Sequence, residues 1–256
     1  MAGLRPPLRG LRPRLPSNRP RLRGSRPPHP QGAVLLLHGG AERGWVPMTW
    51  WSPSSLRMLP FVPDLHLFTH ERVAVVRLKN RWLGWNGDGR TALEDARWAL
   101  DVIRAELPGL PIAIVGHSMG GRVALRLAGE PDVRAVVGLA PWIVEDDPLD
   151  IPDAVQLLLM HGSWDRITDP ALTARLAASL RDEGKRALFV GVNGIHSMLL
   201  HPGTWHRTTA RFVRDVLLDG DVPPGGDVLL DGDVLPGGDV PLRRRRRLGP
   251  GAGPPS

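Results

Sequence analysis

The 256-residue chain contains no cysteine. That excludes a disulfide framework, a thiolate metal site and a cysteine nucleophile, and it leaves the redox compartment open. No apolar run approaches the length of a membrane-spanning helix. The first residues carry arginine but lack the apolar core of a secretory signal. A cytoplasmic protein that does not engage a membrane is the expectation, with a monomer as the default state. Acidic side chains are missing from residues 1–31, which hold eight arginines.

The net charge of +7 invites an anionic-polymer partner, but the charge is unevenly placed. Residues 219–256 hold six aspartates and the run Arg243 to Arg247, while residues 32–218 hold twenty basic and twenty acidic side chains. The part able to build a core is neutral. The arginine-rich ends lack interleaved aromatic residues, so no specific nucleic-acid partner is expected, only a weak, salt-sensitive attraction.

Three regions follow. Residues 1–31 alternate Arg and Pro without apolar periodicity and are expected to stay disordered or extended. Residues 32–218 are expected to form one α/β domain. Residues 219–256 are expected to be a solvated tail: the twelve residues from Leu217 to Val228 recur as 229–240, changed only where Leu235 replaces Pro223. Two copies cannot stack a solenoid core, and the period is wrong for a calcium-binding one. Both tails are expected to be dispensable. The preference for Arg over Lys is compatible with a biased coding sequence, and the first tail with a start site placed too early.

Within the central region, Pro111 to Val115 reads as a buried strand and Val123, Ala124, Leu125 and Leu127 as a helix. Between them lies Gly116-His117-Ser118-Met119-Gly120. A serine with glycines two places before and after, between a strand and a helix, is the pattern of a nucleophile elbow. The turn is too tight for side chains at the glycine positions. It presents the Ser118 hydroxyl and points the Met119 N–H at a developing oxyanion beside a helix N-terminus.

On these residues the chain resembles the α/β-hydrolases, from about Ala33 to about Leu218. The resemblance implies a mostly parallel sheet with helices on both faces. Ala33 to His38 is the first convincing strand, and nothing before it reads as one, so about six parallel strands are expected. The resemblance also gives roles to other segments. His38-Gly39-Gly40 is similar to the family's His-Gly-x loop, which implies Gly40 as the second oxyanion donor, with Gly39 or Ala41 open by a slip. Gly162-Ser163-Trp164-Asp165 resembles the family's acid loop and implies Asp165 as the acid. Asp169 precedes Pro170 and reads as a helix N-cap. His196 follows the last strand, Arg186 to Val192, where the family places its base; His201 and His206 are the rivals.

Other segments have structural readings. Thr91 to Leu107 is a helix, with Thr91 and Glu94 as a capping box and Asp95 and Trp98 structural. Residues 45–68 are an irregular approach to a short helix, and 203–218 the final helix. Pro141 to Asp153, with three prolines, is too short for the helical lid many family members insert there. The site is therefore expected to be open, with Trp142 as a wall and with short, water-soluble esters turned over without interfacial activation. Asp88 has no flanking ligands, so no metal is expected, and the chemistry needs no cofactor.

The order Ser118, Asp165, His196 is that of α/β-hydrolases. It implies acyl transfer from a small-molecule substrate to water through an acyl-enzyme. An ester is the leading choice; thioesters and amides use the same parts. An idle hydrolase fold acting as a binding protein stays open, as does an anion binder working through the arginine tails.

Overall fold

The computed structural model describes residues 18–220 and the backbone of a two-residue strand at Val234–Leu235. In chain order the elements are β1 (Arg21–Ser25), β2 (Gly32–Leu37), α1 (Pro53–Leu56), α2 (Phe61–Phe68), β3 (Val73–Lys79), α3 (Arg90–Glu106), β4 (Ile112–His117), α4 (Met119–Arg126), β5 (Val133–Leu139), β6 (Gln156–Gly162), α5 (Pro170–Asp182), β7 (Arg186–Val192), α6 (Pro202–Leu218) and β8 (Val234–Leu235). They form one sheet in the order β1-β3-β2-β4-β5-β6-β7-β8.

The six strands from β2 to β7 are parallel, as the sequence implies. Each is covered on both faces, which is why each reads as a nearly continuous apolar run. In β2, Ala33, Leu35 and Leu37 face a core shared with α3, α4 and α5. Val34 and Leu36 face a second core with Phe61 and Leu65 of α2 and Trp205, Phe212 and Val213 of α6. The chain leaves β2 for β3 on one side and returns to β4 on the other. The carboxyl ends of β2 and β4 therefore flank the point where the strand order reverses, the usual ligand crevice of an open α/β sheet.

Two strands lie outside this set. β1 pairs antiparallel with β3, from Arg21 opposite Lys79 to Ser25 opposite Val75. This corrects the expectation that nothing before Ala33 is a strand, and the domain therefore begins before residue 32. The physical reason is that an edge strand is held by its backbone ladder. Half-buried Leu22 packs against the core beneath it, and the arginines stay outside, a common guard on an exposed edge. β8 pairs antiparallel with Gly191 and Val192 of β7, inside the second copy of the repeat. It falls at the position where Leu235 replaces the proline of the first copy, and proline has no N–H to give a ladder. The rest of both tails lies outside the described residues.

The helix expected from Thr91 is α3, one residue earlier, and its cap differs. Gly89 is the N-cap, in left-handed conformation, and Asp88 Oδ1 accepts from Arg90 N at 3.0 Å. The Thr91 hydroxyl is buried without a partner, and Glu94 is taken by Arg81 and Arg90. Asp95 is structural: it receives the Arg81 N–H and Nε–H at 2.7 and 2.6 Å. No helix interrupts the connection from β5 to β6. No helix among the described residues is long and apolar enough to cross a membrane.

Candidate active site

β4 delivers Ser118 at the carboxyl edge of the sheet, and α4 starts at the next residue. Ser118 takes φ 53° and ψ −115°. The turn is set by close approach. A Cβ on Gly116 would lie 2.1 Å from the Gly120 oxygen, and one on Gly120 would lie 2.6 Å from the Leu37 oxygen. Ser118 N donates to Leu139 O at 2.9 Å, and Ser118 O accepts from Trp142 N at 3.1 Å. The serine is thereby tied to the carboxyl end of β5. Met119 is the first residue of α4, where helical N–H groups have no partner within the helix.

The loop after β2 lies against this turn. A Cβ on Gly40 would meet Leu83 O at 2.2 Å and the Met119 sulfur at 2.7 Å. Ala41 N is already bonded to Leu83 O at 3.1 Å, which removes Ala41 from the candidates for an oxyanion donor; among the described residues Gly39 and Gly40 have no backbone acceptor. His38 holds the loop from beneath. Its Nδ1 bonds to Gly39 O at 2.7 Å, and its Nε2 accepts from Asn80 N at 3.2 Å. Burial pushes the His38 pKa down to about 4, so the ring is neutral, with its proton on Nδ1.

The acid loop follows β6. The Asp165 side chain is fully buried. Its Oδ1 accepts from Ile167 N at 2.8 Å and Thr168 N at 3.1 Å. Its Oδ2 takes His196 Nδ1 at 2.7 Å, Thr168 Oγ1 at 2.9 Å and His161 Nε2 at 3.1 Å. Burial by itself raises a carboxyl pKa. Here the hydrogen bonds from His161, His196 and Ile167, with the charge of His196, outweigh it and hold Asp165 well below the usual carboxylate range. Asp169 caps α5 through Ala171 N at 2.8 Å, as its sequence context implies.

The structure thus brings Asp165 and His196 together and sets both at the edge that carries Ser118. Among the described residues no hydrogen bond joins the Ser118 hydroxyl to the His196 ring. The two loops meet through His117, whose Nε2–H donates to the His196 carbonyl at 2.9 Å and whose ring lies 4.8 Å from that of His196. Burial, then the neighbouring His196, pushes the His117 pKa down to about 3, so this ring is neutral as well. The rivals lie elsewhere. His206 meets Phe61 edge-on, with ring centres 4.4 Å apart, and sits 3.7 Å from Asp64 on α2, and His201 is the exposed residue preceding α6.

Trp142 lines a cavity of about 300 Å³, together with Arg122, Leu125, Leu149, Leu172 and Leu176. Arg122 lies between two tryptophans, 4.1 Å from the Trp85 ring centre and 4.4 Å from that of Trp142. It also makes a two-pronged bond to Asp147 at 2.5 and 2.7 Å. This pins the short connection after β5 to the elbow helix. Arg122, Trp85 and Asp147 carried no local signal, because their partners are far apart in sequence. His161 and Thr168 were also missed. A polar residue closing the apolar run of β6, four places before the acid, was the available clue.

A family model described as alpha/beta hydrolase fold matches residues 32–183. A 78-residue stretch is 33% identical to a cutinase of Thermobifida alba; it spans 30% of this chain and 25%, about a quarter, of that protein's length. Similar solved structures include a serine hydrolase without a lid from Xanthomonas campestris, with a TM-score of 0.58 and 20% identity over 80% of this chain and 90% of that one. Another is the monoacylglycerol lipase of Paleococcus ferrophilus, with a TM-score of 0.52 and 19% identity over 78% and 99%. At these identities the structures share the fold.

Proposed function

The chain belongs to the α/β-hydrolase fold family, and on that premise we propose that it cleaves a carboxylic ester with Ser118 as nucleophile, His196 as base and Asp165 as the acid that orients it. The observation carrying this reading is the 2.7 Å bond from His196 Nδ1 to a buried, ionised Asp165, at the edge that holds the elbow serine. That bond leaves His196 Nε2 with the lone pair a base requires. The missing Ser118–His196 bond is compatible with a site that tightens on substrate, since such bonds are often long in free enzymes.

In the proposed cycle, Ser118 Oγ attacks the carbonyl carbon and its proton passes to His196 Nε2. The N–H groups of Met119 and Gly40 receive the oxyanion, each worth roughly 3 kcal/mol of barrier. Collapse expels the alkoxide, which takes the proton from His196. Water then attacks the acyl-serine by the same route, releasing the acid and restoring Ser118. Asp165 stabilises the imidazolium formed twice in this sequence. Trp142 walls the site, and without a lid the substrate enters from solvent.

The ester assignment is supported by the partial likeness to a cutinase. Thioesters and amides pass through the same intermediate and differ in the leaving group, so a panel of activated esters, thioesters and anilides decides the bond. A fluorophosphonate probe should label Ser118, and Ser118→Ala should abolish both labelling and ester turnover. Turnover unchanged in that variant would remove the proposal.

A further inference from the structure

Asp165 is shared by two histidines. His161, the last residue but one of β6, is wholly buried. Its Nε2 lies 3.1 Å from the same Oδ2 that His196 Nδ1 reaches at 2.7 Å. Its Nδ1 lies 2.8 Å from Thr173 Oγ1 on α5. An ionised carboxylate only accepts, so each ring must present an N–H to it. His196 does so through Nδ1. His161 does so through Nε2, which also lies 3.2 Å from Thr168 Oγ1; with the proton on that nitrogen alone, Nδ1 accepts from the Thr173 hydroxyl. The two rings therefore face the carboxylate through opposite nitrogens.

Resting on the catalytic reading above, we propose that His161 is a positioning residue: its Nε2–H, fixed by Thr173, holds the Asp165 carboxylate for His196 and shares its negative charge. The working unit on this side is His161–Asp165–His196, braced by Thr168, whose hydroxyl lies 2.9 Å from the same oxygen. A carboxylate with one imidazole donor withdrawn pulls harder on the proton of the other. The remaining groups around it are the neutral His117 ring beside His196 and Arg57 at the end of α1, whose charge acts on His117. Neither donates to Asp165, so they do not replace His161.

The test uses the full-length protein, two variants and two readouts. His161→Leu keeps a similar apolar volume without the donor; His161→Gln keeps an N–H within reach of Asp165. For His161→Leu, kcat should fall about 10- to 100-fold, the weight of one hydrogen bond to a charged group. KM should hold within about twofold, because the lost contact acts on the transition state. The acid limb of the kcat/KM profile should move up by about half a pH unit or more. His161→Gln should return the limb and most of kcat. Nitrogen–proton correlation spectra of the wild-type protein should find the His161 proton on Nε2. A proton on Nδ1, an unmoved limb in His161→Leu, or a limb displaced equally in both variants overturns the proposal. If His161→Leu does not fold, the spectra and the Gln variant decide it. The spectra need no substrate, so they stand even if Ser118→Ala keeps full turnover and the catalytic reading fails.

Discussion

Around Ser118 the chain is shaped by collisions; around Asp165 it is shaped by hydrogen bonds. The elbow exists because Gly116 and Gly120 let backbone lie where a Cβ would be 2.1 and 2.6 Å from an oxygen. The acid loop exists because five donors converge on one carboxylate: Ile167 N, Thr168 N, Thr168 Oγ1, His161 and His196. A steric site of this kind admits no larger residue, while a hydrogen-bonded one admits an isostere and loses strength in proportion to the donor removed. The same division governs what each half reveals in sequence, since a glycine spacing is local and a donor set is not.

The sharpest way to break the comparison is Gly116→Ala. One methyl group placed against backbone should abolish turnover and leave little folded protein, measured by thermal melting and the ester assay. Asp165→Asn comes next. Turnover should fall by about 10⁴-fold while the melting temperature stays readable, as expected where an orienting carboxylate is replaced by an amide. Asp169→Asn should alter neither, because Asn caps a helix about as well as Asp. A larger loss from Asp169→Asn than from Asp165→Asn would shift the acid by one helix cap.

Acid separates the halves in a different way. His38 and His117 are held neutral at about 4 and about 3, below the 6.5 of an exposed imidazole. On acidification from 6.5 the unfolded chain takes protons that the folded one refuses, at about 1.4 kcal/mol per pH unit for each ring. Asp165 has the opposite window. Its depressed pKa gives stability above the unfolded value of 3.8 that is lost only below it. Melting temperature should therefore fall between pH 6.5 and 4 through His38 and His117 on the nucleophile side, with half-buried His206 on α6 adding in the same direction, and His38→Gln should flatten that slope. The acid side should contribute only below about pH 4.

The smallest expected effect concerns the sheet edge. A chain beginning at Asn18 should melt like the full-length protein. One beginning at residue 30 lacks β1, leaves β3 as an edge strand paired with β2 alone and loses the contact of Lys79 Nζ with Arg19 O at 3.5 Å. It should melt several degrees lower yet keep turnover within a few-fold, since Asn80 still reaches His38 from the far end of β3.

The six parallel strands were legible because strands buried on both faces read as apolar runs, and Ser118 because its glycines sit two places away. Asp165 was separated from Asp169 by the proline that marks a helix start. β1 was not legible. Its ladder is backbone, its one apolar side chain is Leu22, and arginine and proline surround it. The cap of α3 was misread because Thr91 and Glu94 fit a capping box while Gly89, in left-handed conformation, ended the preceding loop two residues before Thr91. The partners of Asp165 were half legible. His196 follows a strand, while His161 offers only a weaker sign, a polar residue closing the apolar run of β6 four places before the acid.

Ser118 stands in the backbone conformation that the first central residue of a type II′ turn adopts, one that selects glycine. A serine there keeps about 1–3 kcal/mol of backbone strain in the folded state. Of all single replacements at this site, glycine should relax the chain most, and it would also remove the hydroxyl proposed to attack the substrate. If Ser118 is the nucleophile proposed above, the most thermally durable form of this protein at position 118 is an inert one, and drift toward robustness alone would erase the hydroxyl. On the proposed mechanism, a serine kept at this cost is what selection for turnover, opposing that pull, would leave behind.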